Sequence, residues 1–121
     1  VLILDEPTTA QDYRGRYQLA ELARSFHDEQ GGTVVIISHD VDLVARYAER
    51  VIVLQAGHVL LDGPSAQVFA QEERLKESFV VSPVLMQLAH ELSDLGLPSG
   101  WTDPEEFAQM LRPAGREEGV R

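Results

Sequence analysis

Two stretches of apolar residues constrain the fold of this chain more than any other feature. The first runs from Val1 to Leu4, and the second lies within Thr33 to Ser38 and is rich in β-branched residues. Each is typical of a strand that is buried on both faces of a parallel sheet. Apolar side chains recur at helical spacing between them, from about Tyr13 to Glu29. This order predicts a βαβ unit with parallel strands and a right-handed crossover. Because such strands need neighbours on both sides, we expect the chain to be part of a longer polypeptide.

Shorter elements are predicted after the second strand. In chain order they are a helix capped by Asp40 over about Val41 to Ala48, strands at Val51 to Leu54 and His58 to Leu61, and a helix from Ser65 toward Ala70. Gly57 lies between the two strands, and a glycine at this position predicts a β-hairpin. The following Asp62-Gly63-Pro64 is expected to break the chain after the hairpin.

The composition changes from about Gln71. A charged stretch is followed by a predicted helix that opens at Ser82-Pro83, and its apolar side chains form one stripe: Val84, Leu85, Leu88, Ala89, Leu92 and Leu95. Asp103 and Pro104 are predicted to be the N-cap and first residue of a last short helix. The tail over residues 112–121 is expected to be disordered. The sequence thus predicts two parts, residues 1–70 and a helical extension over residues 71–121.

Composition excludes several classes of protein. The 121 residues include no cysteine, so disulfides and zinc-thiolate sites are excluded. Twenty acidic and ten basic residues give a net charge of −10, which argues against nucleic acid as a main partner. No apolar run is long enough to cross a bilayer. A hydrophobic fraction of 44% is ordinary for a soluble globular protein.

Polar residues that suit phosphate chemistry follow both predicted parallel strands. Asp5 and Glu6 end the first strand, where one carboxylate can hold Mg²⁺ through its water shell and the next can orient or deprotonate water. His39 follows the second strand and could donate a hydrogen bond to a terminal phosphate. Parallel strands bring Glu6 and His39 to the same carboxyl edge, where open α/β sheets bind ligands. Each feature alone has a structural alternative. Asp5 and Glu6 could simply mark the end of a strand, and His39 could have only a structural role.

The order and spacing of the motifs resemble the C-terminal half of the ATP-binding subunit of an ABC transporter. LILDEP resembles the Walker B strand of that family, TTAQD its D-loop, ISHD its switch histidine, and the hairpin around Gly57 the segment that follows. The resemblance covers about residues 1–70. It implies an α/β fold, the C-terminal part of the parallel sheet of a P-loop (RecA-like) NTPase with flanking helices, followed here by a small helical extension.

The resemblance also implies roles for four residues and a set of ligands. Asp5 would associate with Mg²⁺, Glu6 would be the catalytic carboxylate acting on water, and His39 would contact the γ-phosphate of ATP. Asp12 would reach the phosphate loop of a second ATPase subunit across a dimer. The structural alternative for Asp12 is that it serves only as the N-cap of the following helix.

Gln11 and the continuation VSPVLMQLAHELSDLGLP resemble the energy-coupling-factor type of ABC ATPase, which powers the uptake of vitamins or transition-metal ions. This implies transmembrane transporter subunits as partners and a peripheral location on the cytoplasmic face of the cell membrane, with only indirect membrane contact. In such relatives the extension contributes to pairing of the ATPase subunits, although the apolar stripe could equally pack on its own subunit.

The 121 residues contain no G-x-x-x-x-G-K-[ST] phosphate loop and no serine-glycine-glycine signature. We therefore expect the isolated chain to be inactive. Two alternatives to a transport ATPase stay open, a non-catalytic truncated interaction module and an ABC ATPase that does not act in transport.

Overall fold

The computed structural model of the protein describes residues 1–112. Its elements are, in chain order, β1 (Leu2–Asp5), α1 (Tyr13–Gln30), β2 (Val34–Ile37), α2 (Val41–Tyr47), β3 (Arg50–Gln55), β4 (His58–Pro64), α3 (Ser65–Phe69), α4 (Glu72–Glu77), α5 (Val84–Glu91), a 3₁₀ turn (Ser93–Leu95) and α6 (Pro104–Met110). None of these helices is long and apolar enough to span a membrane. The predicted disordered tail lies outside the described residues, apart from Arg112.

The predicted βαβ unit is present. β1 and β2 pair in parallel, with Leu2 opposite Val34 and Asp5 opposite Ile37. Backbone bonds extend the ladder beyond both ends, from the Leu2 N–H to the Thr33 carbonyl and from the Glu6 N–H to the Ile37 carbonyl, each at 2.8 Å. The pairing therefore fixes the position of the chain where it leaves β1.

The expectation that these strands are buried on both faces is wrong for the described residues. Side chains alternate between half-buried and exposed along β1 and β2. The exposed face includes Ile3, 65% exposed, and Ile37, 52% exposed. Each apolar strand is therefore covered on one face only. The helix contacts of the β1–β2 pair are made mainly by α1.

The hairpin of β3 and β4 is present but longer than predicted. Asp62 to Pro64 continue β4 and pair with Ile52 to Arg50, instead of breaking the chain. Arg50 holds this end with two hydrogen bonds of 2.8 Å from its guanidinium to the Asp62 carboxylate. Pro64 is tolerated because it is the last residue of the strand, where a missing N–H costs little.

The main core joins the hairpin to the helices that follow it. Its buried members are Ala45, Val51, Val53, Leu61, Val68, Phe69, Leu75 and Met86. Leu75 on α4 is completely buried and Met86 on α5 is 8% exposed. Residues on both sides of the predicted boundary at residue 70 thus share one core.

Two details of the C-terminal region differ from the expectations. The charged stretch after Gln71 forms the short helix α4, which the sequence did not predict. The predicted apolar stripe is split in α5: Met86 and Ala89 are buried, whereas Val84 and Leu88 are exposed. The helix is apolar around more of its circumference than its buried face requires, so its pattern did not reveal which side chains face the core.

Helix α2 anchors both C-terminal helices. The Asp42 carboxylate accepts a hydrogen bond from the Val84 N–H at the start of α5, at 3.0 Å. Arg46 forms an ion pair of 2.9 Å with Asp103, which also caps α6 as predicted by accepting hydrogen bonds from the N–H groups of Glu105 and Glu106. The helix that follows the second parallel strand is therefore bound to the extension at both ends.

A cluster of three tyrosines joins α1 to α2. Tyr17 lies between Tyr13 and Tyr47, with ring centroids 4.7 and 6.2 Å apart, and the Arg46 guanidinium lies over the Tyr17 and Tyr47 rings. The Tyr47 hydroxyl donates a hydrogen bond of 2.7 Å to the Glu21 carboxylate. Burial, followed by this hydrogen bond, raises the pKa of Tyr47 to about 12.

This pKa predicts a loss of stability at high pH. Because the folded-state pKa lies above that of an unfolded tyrosine, the contribution of Tyr47 is fully present below about pH 10 and is lost as the pH rises toward 12. We expect the free energy of unfolding, measured with urea between pH 9 and 12, to fall more steeply with pH in the wild-type chain than in Tyr47→Phe. Equal pH dependence in the two proteins would show that Tyr47 does not ionise late in the folded state.

Candidate functional site

Glu6 and His39 meet at the carboxyl edge of the parallel strand pair. The last pair of the ladder is Asp5 opposite Ile37, so Glu6 follows β1 directly and His39 follows β2 after Ser38. His39 Nδ1 lies 2.8 Å from Glu6 Oε2. Since a carboxylate can only accept at this contact, Nδ1 carries the proton and Nε2 is left for another partner. The structure therefore brings together the two residues predicted to share this edge.

The backbone at Glu6 is unusual. Glu6 has a φ of +44° and Ala10 a φ of +64°, and both values lie in the left-handed region that non-glycine residues rarely adopt. Each such residue costs about 1–3 kcal/mol and persists only where the surroundings hold it. Two turn bonds hold this loop, from the Thr9 N–H to the Glu6 carbonyl and from the Gln11 N–H to the Thr8 carbonyl, both at 3.1 Å. The chain thus turns sharply where the Glu6 side chain enters the site.

Asp5 is the last residue of β1, and its side chain is exposed. Within the described residues its carboxylate makes no hydrogen bond or ion pair, and no group of three or more metal-ligating side chains occurs. Proteins commonly hold Mg²⁺ through one or two carboxylates together with waters and substrate phosphates. A single free carboxylate beside Glu6 fits that mode of binding.

Asp12 is the N-cap of α1, as its structural alternative predicted. Its Oδ1 accepts a hydrogen bond of 2.7 Å from the Gly15 N–H. A Cβ at Gly15 would lie 2.7 Å from the Gln11 side-chain oxygen, so the loop before α1 folds back closely onto the first turn of the helix. Asp12 remains exposed to solvent. It is not among the residues that line the cleft beside His39.

That cleft has a volume of about 390 Å³. Its walls come from the loop after β1 and the loop after β2, and its lining residues are Thr8, Thr9, Ala10, Gln11, Arg16, His39, Asp40, Val41 and Asp42. Carboxylates and one arginine dominate its charged groups. The cleft is therefore a polar groove at the edge of the sheet, bounded by two of the motifs singled out in the sequence.

Arg16 is a site residue that sequence reasoning missed. Its Nη1 donates a hydrogen bond of 2.7 Å to Asp40 Oδ2, across 24 positions of sequence. Arg16 is in the first turn of α1, whose side chains lean toward the helix N-terminus and hence back over the loop. The only signal in the sequence is an acidic residue directly after His39 and a basic residue soon after Asp12, a pattern too common to single out.

The parallel strands, the flanking helix and the polar edge define the class of protein as an α/β fold with a candidate ligand site at the carboxyl edge of its strands. Comparison with known proteins narrows this class. The chain is 46% identical over 113 residues to a putative ABC transporter ATP-binding protein of Methanosarcina mazei, covering 93% of this chain and 19% of that protein. It is 41% identical over 96 residues to the energy-coupling factor transporter ATP-binding protein EcfA2 of Clostridium perfringens, covering 79% of this chain and 34% of that protein.

A solved structure agrees with these relatives. The fold matches cbiO1 of Clostridium perfringens, part of the ABC transporter complex cbiONQ, with a TM-score of 0.55 and 34% identity, over 76% of this chain and 36% of that one. No family model matches the chain. The chain is thus a relative of the ATP-binding subunits of ABC transporters, including those of the energy-coupling-factor type, and the predicted resemblance is confirmed. It spans well under half the length of each of these relatives.

Proposed function

We propose that this chain supplies the metal- and water-handling part of an ATP-hydrolysing subunit that energises an ABC importer of the energy-coupling-factor type. The observation that carries the proposal is the 2.8 Å contact between His39 Nδ1 and Glu6 Oε2 at the carboxyl edge of the sheet. Ligands of open α/β sheets bind at this edge. The ATP-binding relatives support the nucleotide as the ligand.

Glu6 is proposed to be the catalytic carboxylate. Its Oε2 is taken by His39, while Oε1 makes no hydrogen bond to any described residue and is left to accept one from water. A water held there would be oriented for attack on the γ-phosphorus and could transfer its proton to the carboxylate. The strained turn at Glu6 fixes where this carboxylate lies relative to the sheet edge.

His39 is proposed to contact the γ-phosphate through Nε2. Its side chain is 80% exposed, so the ring can meet a nucleotide without rearrangement of the core. With Nδ1–H donated to Glu6, Nε2 donates to a phosphate oxygen only when the ring is protonated.

Asp5 and Asp12 complete the proposed site. Asp5 would hold Mg²⁺ through its water shell, and the ion would neutralise charge on the phosphates of ATP. Asp12 is proposed to approach the phosphate loop of a second ATPase subunit, since its side chain is exposed even while it caps α1. The ligands of the complete subunit would then be ATP and Mg²⁺.

The partners follow from the same proposal. We expect a second ATPase subunit and transmembrane transporter subunits, with this chain at the cytoplasmic face of the membrane and in only indirect contact with it. The membership of cbiO1 in a cbiONQ complex supports such an assembly. A vitamin or a transition-metal ion is the proposed class of transported solute.

The experiment that tests the function is a phosphate-release assay on the native polypeptide purified from its source. We expect saturable hydrolysis of ATP that requires Mg²⁺ and is lost when the metal is chelated. Binding of nucleotide without hydrolysis, or the absence of both, would contradict the proposal and favour a non-catalytic interaction module.

The isolated chain of 121 residues is predicted to be inactive. It carries a net charge of −10 and no glycine-rich phosphate loop, and such loops supply the backbone N–H groups and the lysine that bind ATP phosphates. We therefore expect no saturable hydrolysis and weak or undetectable MgATP binding by calorimetry. A saturable rate that disappears in Glu6→Gln would show that these residues suffice for catalysis.

A further inference from the structure

We propose that Arg16 and Asp40 are positioning residues that hold His39 against Glu6, an inference that rests on the proposed function. The ion pair between Arg16 Nη1 and Asp40 Oδ2, 2.7 Å long, joins the helix that follows β1 to the loop that follows β2. His39 directly precedes Asp40. The pair therefore ties together the two segments from which the site is built.

Asp40 holds the backbone around His39 through hydrogen bonds of its carboxylate and its N–H group. Its Oδ2 accepts from Arg16, and its Oδ1 accepts from the Leu43 N–H at 3.2 Å, which caps α2. Its own N–H donates to Ser38 Oγ at 3.1 Å. The residues on both sides of His39 are thus held by hydrogen bonds, and Arg16 orients the carboxylate at their centre.

The side chain of His39 needs this support from the backbone. It is 80% exposed, and the Glu6 side chain, itself 39% exposed, is its only hydrogen-bond or ion-pair partner among the described residues. Packing therefore contributes little to holding the ring. A small shift of the loop would break the 2.8 Å contact, because hydrogen bonds weaken quickly with distance and angle.

The Arg16–Asp40 pair is not an ordinary surface ion pair. The two side chains are 34% and 14% exposed, and Arg16 Nε is buried without a hydrogen-bond partner among the described residues. A partly satisfied, partly buried charge costs desolvation energy that an apolar side chain would avoid. By contrast, Arg24 and Asp28 on the same helix are each 58% exposed and lie 3.5 Å apart. The partial burial and the unpaired Nε of Arg16 thus favour a role in positioning the site over a role in stability alone.

The first test reads the His39 ring directly in the chain of 121 residues. Long-range ¹H–¹⁵N NMR reports which ring nitrogen carries the proton, and we expect the Nδ1–H form in the wild type. Arg16→Gln is expected to lose this preference, Arg16→Lys to retain it in part, and the matched control Arg24→Gln to leave it unchanged. Asp40→Asn provides a second variant, because asparagine still caps α2 while the ion pair is removed.

The second test is kinetic and uses the native polypeptide. We expect Arg16→Gln and Asp40→Asn to lower kcat for ATP about 10- to 100-fold, with KM changed by less than about threefold, because misplacement of a catalytic group affects the chemical step. Arg16→Lys should recover part of the loss, and Arg24→Gln should behave like the wild type.

Three results would overturn the inference. These are an unchanged His39 tautomer in Arg16→Gln, a kcat in that variant equal to that of Arg24→Gln, and loss of folding in both Arg16→Gln and Asp40→Asn. The last would assign the pair to stability alone. The NMR measurement requires no hydrolysis, so the failure of the proposed ATPase function would be distinguishable from the failure of the positioning role.

Discussion

Glu6→Gln in the native polypeptide is expected to lower the turnover of ATP by about 10²- to 10⁴-fold, the usual contribution of a general base. Glutamine has nearly the same shape as glutamate, and its amide oxygen can still accept the hydrogen bond that His39 Nδ1 makes at 2.8 Å. The geometry of the sheet edge should therefore survive, while the group that accepts a proton from water is lost. Binding of MgATP and closure of the ATPase dimer should be retained.

The control for this variant is Glu29→Gln, which makes the same substitution at an exposed position near the end of α1. It should keep the wild-type rate. Single-turnover cleavage of ATP, measured beside equilibrium binding of nucleotide, separates loss of chemistry from loss of binding. Normal turnover in Glu6→Gln would show that another residue activates the water.

Leu75→Ala is expected to destabilise the chain by about 2–5 kcal/mol, as is usual when a buried leucine is truncated. Leu75 on α4 is fully buried in the core that also contains Val53 on the hairpin and Met86 on α5. The loss is a large part of the 5–15 kcal/mol that stabilises a typical domain. Urea unfolding of the chain followed by circular dichroism measures it.

The matched control is Leu22→Ala on α1, where the leucine is 68% exposed. Substitutions at exposed positions usually change the free energy of unfolding by less than about 0.5 kcal/mol. If Leu75→Ala were no more destabilising than Leu22→Ala, residues 71–112 would not share a core with the hairpin, and the extension would fold separately.

The sequence predicted the elements whose patterns are local. The two apolar strands, helix α1 and the glycine turn at Gly57 each carry their own periodicity or turn signal, and the parallel connection then places Glu6 and His39 at one edge. The general rule for the carboxyl ends of parallel strands was therefore sufficient to find the candidate site.

The features that sequence reasoning missed depend on contacts between distant residues. Helix α4 has a single fully buried apolar residue, Leu75, whose partners lie on other elements. The ion pair of Arg16 and Asp40 spans 24 positions and belongs to no periodic pattern. Burial of β1 was overestimated because a continuous apolar run does not reveal how many of its faces the described residues cover.

The most direct test of the proposed ATPase role is the intact mass of the native polypeptide, determined together with the codons upstream of Val1. The proposal predicts a longer polypeptide that carries a glycine-rich phosphate loop ending in Lys-Ser or Lys-Thr, because Asp5, Glu6 and His39 need such a loop to hold the phosphates on which they act. A native polypeptide without that loop would contradict the proposal and leave these three residues without the substrate assigned to them.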